Sequence, residues 1–119
     1  MKVAIMDFQT PDPLQAGVDC KAGCPVQLAA DILSGKWTTL LIRELLAGTR
    51  RYSQLQYALL GISPKILASR LRMLEANGLL TRKIYPTIPP KTEYTLTPLG
   101  QELEPVILSM AKFGQLLAK

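Results

Sequence analysis

Apolar positions recur at helical spacing through most of this chain, and the period changes once. In "CPVQLAADIL", Val26, Leu28, Ala29, Ile32 and Leu33 fall on one helical stripe. Pro25 occupies the first turn, where a missing N–H costs nothing. Ser34-Gly35 breaks this stripe. Trp37, Leu40, Leu41, Leu45 and Leu46 start another, ended by Gly48 at a C-terminal cap. Trp37 reads as a core anchor. "TRRYSQLQYALLGIS" predicts a short third helix with Tyr52, Leu55, Ala58 and Leu59 on its apolar side and a tight turn at Gly61. Ser63-Pro64, a cap followed by a proline, opens a fourth helix over 64–77. It stops at Asn77-Gly78, where the chain can turn left-handed.

After Gly78 the period becomes strand-like. Leu79 to Tyr85 and Thr92 to Thr97 are β-prone runs on either side of a stiff "PTIPPK" tip, a hairpin with a longer loop over 79–97. Thr97-Pro98 repeats the cap-and-proline signal. Leu99, Leu103, Val106, Ile107, Met110, Phe113, Leu116 and Leu117 then predict one final helix of about five turns. Upstream, "TPDPLQAG" resists regular structure, and "KVAIMDF" is compatible with a strand-like arm. The expected organisation is an arm at 1–22, a core at 23–97 and a terminal helix at 98–119. Two short helices joined by a Gly turn and followed by a hairpin describe a winged helix-turn-helix. The fold class is mainly α with a small β-hairpin wing (α+β).

Charge adds a direction to this outline. The chain has 119 residues, 48% of them hydrophobic, and a net charge of +5. Residues 36–91 hold ten cations against Glu44 and Glu75, a local +8, and the remainder sums to −3. A basic middle is the footprint of a surface that meets a polyanion, with a plain solvated surface as the competing reading. No helix carries Lys and Arg along its whole polar face, which argues against a membrane-surface role. There is no histidine, so Ser-His-Asp and Cys-His catalysis and the common histidine metal sites are excluded. Two cysteines cannot make a Cys₄ zinc site, and no phosphate-binding glycine loop occurs. The expectation is a protein that is not an enzyme and carries no cofactor or metal. No run of about 18 apolar residues is present, and the first residues do not form a secretory signal. Both features point to the cytoplasm, with reduced thiols.

The fourth helix carries the candidate chemistry. At 100° steps Leu67, Leu71 and Leu74 share an inward arc, and Lys65, Ala68, Ser69 and Arg72 share the outward one. A major groove admits a helix whose contact face is short in the middle, as Ala68 and Ser69 are. Lys65 and Arg72 can reach base edges or phosphates. Arg70 lies on the flank, and Ser63 lies at the helix start, where N–H groups favour an anion. Arg82, Lys83 and Lys91 give the hairpin a cationic base suited to flanking backbone. Arg50, Arg51 and Tyr52, ahead of the third helix, are further phosphate candidates. A winged-helix module that binds another protein is the alternative; an acidic or apolar recognition face would have favoured it, and the cationic face argues against it.

Taken in order, "CP", "GKWTTLLIRELLAGTRRYSQLQ" and "GISPKILASRLRMLEANGLLTRKIYPTIPPKTEYTLTPLG" closely resemble the HxlR-type transcriptional regulators, relatives of the MarR group. The resemblance spans roughly residues 24–117 and rests on GKW, on Arg51 to Leu55, on GIS with RLRMLE, and on Tyr94 to Gly100. It implies a homodimer on double-stranded operator DNA, joined through its terminal helices with help from the arm. Val106, Met110, Phe113 and Leu117 are the candidates for that contact. It also implies thiol sensing of an electrophile or oxidant, because many members carry a cysteine beside the proline that Cys24 precedes here. Pro64 and Ser69 stand at variable positions, so the operator sequence does not carry over. Cys20 and the arm depart from the usual pattern. The residues support the thiol reading in part: a helix N-terminus favours thiolate, Lys21 adds charge, and Cys20 is a candidate resolving partner. A small buried apolar cysteine is the competing reading.

Overall fold

The structure, a computed structural model, describes residues 23–118. The expected arm, its strand-like segment, Cys20 and Lys21 lie outside the described residues. The chain divides into two compact units, one ending at Ser34 and one beginning at Gly35.

In the first unit α1 spans Pro25–Leu33. Cys24 is its N-cap, and the Cys24 carbonyl accepts the Leu28 N–H at 2.9 Å. Gln27 Nε2 donates to Asp31 Oδ1 one turn on, at 2.7 Å. Ser34 Oγ closes the far end on the Asp31 carbonyl at 3.0 Å. Val26 and Leu28 are exposed, and no α1 residue is buried.

The second unit runs α2 (Thr38–Leu46), β1 (Arg50–Arg51), α3 (Tyr52–Ala58), α4 (Pro64–Ala76), β2 (Leu80–Tyr85), β3 (Lys91–Leu96), α5 (Pro98–Gln101) and α6 (Glu104–Leu117). Its core is built mainly from leucine. Leu41, Ile42 and Leu45 of α2, Leu55 of α3 and Leu67, Leu71 and Leu74 of α4 are buried together with Leu80, Tyr94 and Leu96 of the sheet. Each buried aliphatic side chain contributes about 1.5–3 kcal/mol of transfer free energy. The predicted inward arc of α4 is therefore the face that holds it in place.

The connections follow from cap chemistry. Leu59 ends α3, Gly61 takes φ 94°, and Ser63 Oγ accepts the Ile66 N–H at 3.1 Å to start α4. At the far end Gly78 takes φ 74°. The Leu79 N–H then reaches the Leu74 carbonyl at 2.9 Å and the Gly78 N–H reaches that of Glu75 at 3.0 Å, the paired bonds of a Schellman cap. Thr97 Oγ1 donates to the Gly78 carbonyl at 2.7 Å and accepts the Gly100 N–H at 3.0 Å. One hydroxyl thus ties the end of α4 to the start of α5.

Four sequence expectations change. The hairpin is part of a three-stranded antiparallel sheet of order β1-β3-β2, in which Arg50 pairs Tyr94 and Arg51 pairs Glu93. Arg50 and Arg51 are thus strand, and α3 begins at Tyr52. The final helix is two helices. Pro105 has no N–H to offer the Gln101 carbonyl, and the Glu102 and Leu103 N–H groups turn back tightly to Leu99 and Gly100 at 3.1 Å each. Trp37 is half-buried instead of enclosed, with the Lys36 ammonium 4.9 Å from its ring centroid, and Ala58 is exposed. Among the described residues no helix is long and apolar enough to cross a membrane.

Candidate nucleic-acid interface

α4 is 13 residues long and turns its polar arc outward. Lys65 and Arg72 are exposed at its two ends, while Ala68 and Ser69 between them are partly covered. The middle of this face is therefore low enough for close approach of a duplex. Tyr52 supports the helix from α3, donating its hydroxyl to the Pro64 carbonyl at 3.2 Å. That bond secures the end of α4 that bears Ser63 and Lys65.

The pleat sorts the remaining cations. Register pairs Arg82 with Tyr94, Lys83 with Glu93 and Tyr85 with Lys91. Successive strand residues face opposite ways. Arg51, Lys83 and Lys91 thus share one face of the sheet, and Arg50 and Arg82 share the other with Tyr94. On the first face Tyr85 donates to Glu93 Oε1 at 3.1 Å, and the Lys83 ammonium sits 4.9 Å from the Tyr85 ring centroid. Arg51, Tyr52 and Lys91 also line a cleft of about 430 Å³ with Ser53, Thr92 and the tip prolines. The sheet register thus brings Arg51 and Lys91 together across forty residues of chain.

On the second face the hairpin and α4 form a smaller cleft of about 130 Å³, lined by Ala68, Arg72, Glu75, Arg82 and Tyr94 over Leu71. Arg82 Nε lies 3.8 Å from Glu75 Oε1. A long, half-exposed pair of this kind adds little to stability, but it links the outward face of α4 to the wing. Burial pushes the Tyr94 hydroxyl above the usual phenol range, with smaller opposing effects from Arg82 and Glu75. Tyr94 is therefore a neutral phenol at the floor of this cleft. Sequence reading missed Glu75 and Tyr94 as parts of the site. The available signal was that Glu75 is the single carboxylate between Glu44 and Glu93.

Two candidates stand apart. Arg70 lies on the flank with its guanidinium against the backbone of Gly35, so close that a Cβ there would sit 2.7 Å from Nη2. Its Nε is buried with no hydrogen-bond partner among the described residues. Arg50 Nη1 folds back onto the Thr49 carbonyl at 3.2 Å.

Residues 32–119 match the family model described as HxlR-like helix-turn-helix. The chain belongs to that family. It is 50% identical over 91 residues to an HTH-type transcriptional regulator of Synechocystis, covering 76% of this chain and 67% of the relative. Among solved structures it is similar to a chain described as a MarR-family transcriptional regulator from Porphyromonas gingivalis. That match has a TM-score of 0.76 and 43% identity, and covers 80% of this chain and 93% of the other. It is also similar to the redox regulator HypR in its oxidized form, with a TM-score of 0.72 and 37% identity over 77% of this chain and 95% of the other. As an HxlR-like protein, the chain has the winged helix-turn-helix fold of these regulators, with α3 and α4 as the helix-turn-helix and β2–β3 as the wing.

The other HxlR-like candidates lie at the ends of the described chain. Cys24 is a free, buried thiol. On α6 Val106, Met110, Phe113 and Leu117 are exposed by 39 to 71%, and no α6 residue is buried. Ile107, Met110 and Ala111 face Thr39, Leu40 and Arg43 of α2 across a cleft of about 200 Å³.

Proposed function

We propose that this chain is a cytoplasmic, homodimeric regulator that binds operator DNA through two copies of α4. The observation that carries the proposal is the outward arc of α4, short at Ala68 and Ser69 and cationic at Lys65 and Arg72, held over a leucine core beside a basic wing. In this reading Lys65, Ala68, Ser69 and Arg72 meet base edges in the major groove. Arg51, Tyr52, Lys83 and Lys91 meet flanking phosphates, with Ser63 at the α4 start and Arg82 as further backbone contacts. A dimer presents its two α4 helices about 34–36 Å apart, in successive major grooves.

Affinity is expected to fall with salt by about 0.9 log units per phosphate neutralised. The test is a pair of substitutions measured on duplexes selected from random sequence. Arg72→Ala is expected to change sequence preference and cost about 1–3 kcal/mol at the bases it reads. Lys91→Ala is expected to weaken all sequences alike and to reduce the salt slope by about 1. Identical behaviour of the two variants rejects the division into base and backbone contacts.

Cys24 serves in this proposal as the sensing thiol, and Cys20 as its resolving partner. Its place at the N-cap of α1 and the likeness to an oxidized redox regulator support this. Because the thiol is buried, an oxidant reaches it only when the start of α1 opens. Diamide is expected to weaken operator binding of the wild type by about tenfold or more and to leave Cys24→Ser unchanged. Equal release of both proteins rejects the thiol as sensor.

A further inference from the structure

One carboxylate stands where neither the helix nor a polyanion favours it. Glu75 lies in the last turn of α4, where the partial negative charge of a helix end disfavours an acid. It is also the single carboxylate between Glu44 and Glu93, in a stretch that is otherwise basic. Its ion pair with Arg82 does not account for it. Nε and Oε1 are 3.8 Å apart, too far for a hydrogen bond, and the two side chains are 46% and 38% exposed. Such a pair contributes little to stability.

The cleft between α4 and the wing shows what Glu75 acts on. Arg72 and Arg82 both line it, and Glu75 is the one acidic residue that does. Arg72 stands three residues earlier on the same helix, a spacing that makes the two side chains surface neighbours. The floor is Leu71 and the buried, neutral Tyr94, which supply no competing charge. Glu93 pairs Lys83 on the opposite face of the sheet. Glu75 is thus the anion that the two guanidinium groups of this cleft meet in the free protein. A DNA phosphate makes short, charge-assisted bonds of about 2.7–2.9 Å to an arginine. It can therefore displace a partner held at 3.8 Å.

We propose that Glu75 is a specificity-determining residue, whose carboxylate stands in for a phosphate beside Arg72 and Arg82 and opposes duplexes that draw these arginines to their backbone. The proposal rests on the DNA-binding reading above. On a duplex of arbitrary sequence both arginines turn to phosphates, and Glu75 opposes both contacts. On a selected duplex Arg72 meets uncharged base edges, which do not repel a neighbouring carboxylate, and Glu75 opposes the Arg82 contact alone. The carboxylate therefore weakens arbitrary duplexes more than the selected one, which is discrimination by repulsion.

The test titrates the full chain and its Glu75→Gln variant with a duplex selected by the wild type and with one of scrambled sequence. The substitution keeps the size of the side chain and removes its charge. Glu75→Gln is expected to bind the scrambled duplex about tenfold more tightly and the selected duplex about threefold more tightly, so that the ratio of the two affinities falls about threefold. Its salt slope on the scrambled duplex is expected to steepen by about 1 to 2, the contribution of one or two further phosphates. In an Arg82→Ala background the gain on the selected duplex is expected to vanish, because the contact that Glu75 opposes there is gone. A gain that persists in that background, or an unchanged affinity ratio, overturns the proposal, because the carboxylate then acts only through the overall charge. Weaker binding by Glu75→Gln also overturns it and makes Glu75 a support for Arg82. A wild type that binds no duplex at all refutes the DNA-binding reading itself, a result distinct from these.

Discussion

Phe113→Asp is expected to turn a dimer into a monomer and to lower operator affinity by about 10²–10⁴. On α6 the exposed Val106, Met110, Phe113 and Leu117 recur at spacings of four, three and four, so they form one stripe. Leu116 is exposed on the flank of this stripe. An apolar run of this extent on a small protein marks a protein contact. A carboxylate placed in that contact must be buried without a partner, a cost that opposes what the rest of the stripe supplies. The effect on DNA follows from linkage of the two helices. With two α4 copies joined, the second groove contact is intramolecular; separated, each binds alone. Sedimentation of both proteins, with titration of a full site and a half site, checks this. A dimeric Phe113→Asp, or a monomer that binds the full site as tightly as wild type, rejects α6 as the dimer contact.

Gly100→Ala is expected to destabilise the fold by about 3 kcal/mol, lowering Tm by roughly 10 °C. By helix propensity alone this change in α5 would stabilise by up to about 1 kcal/mol, so the sign of the effect is decisive. A Cβ at Gly100 would collide with the Leu79 carbonyl oxygen and lie 3.0 Å from Leu96 Cδ2. The Leu79 carbonyl cannot retreat freely, because it accepts the Thr97 N–H at 3.0 Å. The Gly100 N–H is in turn held by Thr97 Oγ1. The substitution therefore pushes α5 away from the place where the end of α4 and the end of β3 meet. Thermal and denaturant unfolding measure it. A Gly100→Ala protein at least as stable as wild type would show that α5 can shift without loss.

These two positions mark where sequence reading worked and where it stopped. The α6 stripe was legible because helical spacing survives without any partner: it is a property of the segment itself. Its break was also written in the chain, as Pro105, but strong periodicity across Gln101–Leu103 masked it. Gly100 stood in a quoted motif, yet nothing local required glycine there. The requirement comes from a carbonyl 21 residues earlier. Locally Arg50 and Arg51 resemble lead-in to a helix because a two-residue strand has no period; pairing with Tyr94 and Glu93 makes them strand.

By itself the sequence determined the order of helices and hairpin, the caps at Ser63 and Thr97, the leucine face of α4 and the arc opposite it. All of these depend on spacings within about one or two helical turns, where backbone geometry alone decides which side chains are neighbours. Only the tertiary structure decided that Glu75 meets Arg82, that Arg51 and Lys91 share a cleft, that Arg70 lies against Gly35 and that Ile88 stands in water. Those facts depend on sheet register and on how α4 packs against the hairpin. They arise from contacts between segments far apart in the chain, which no local pattern records.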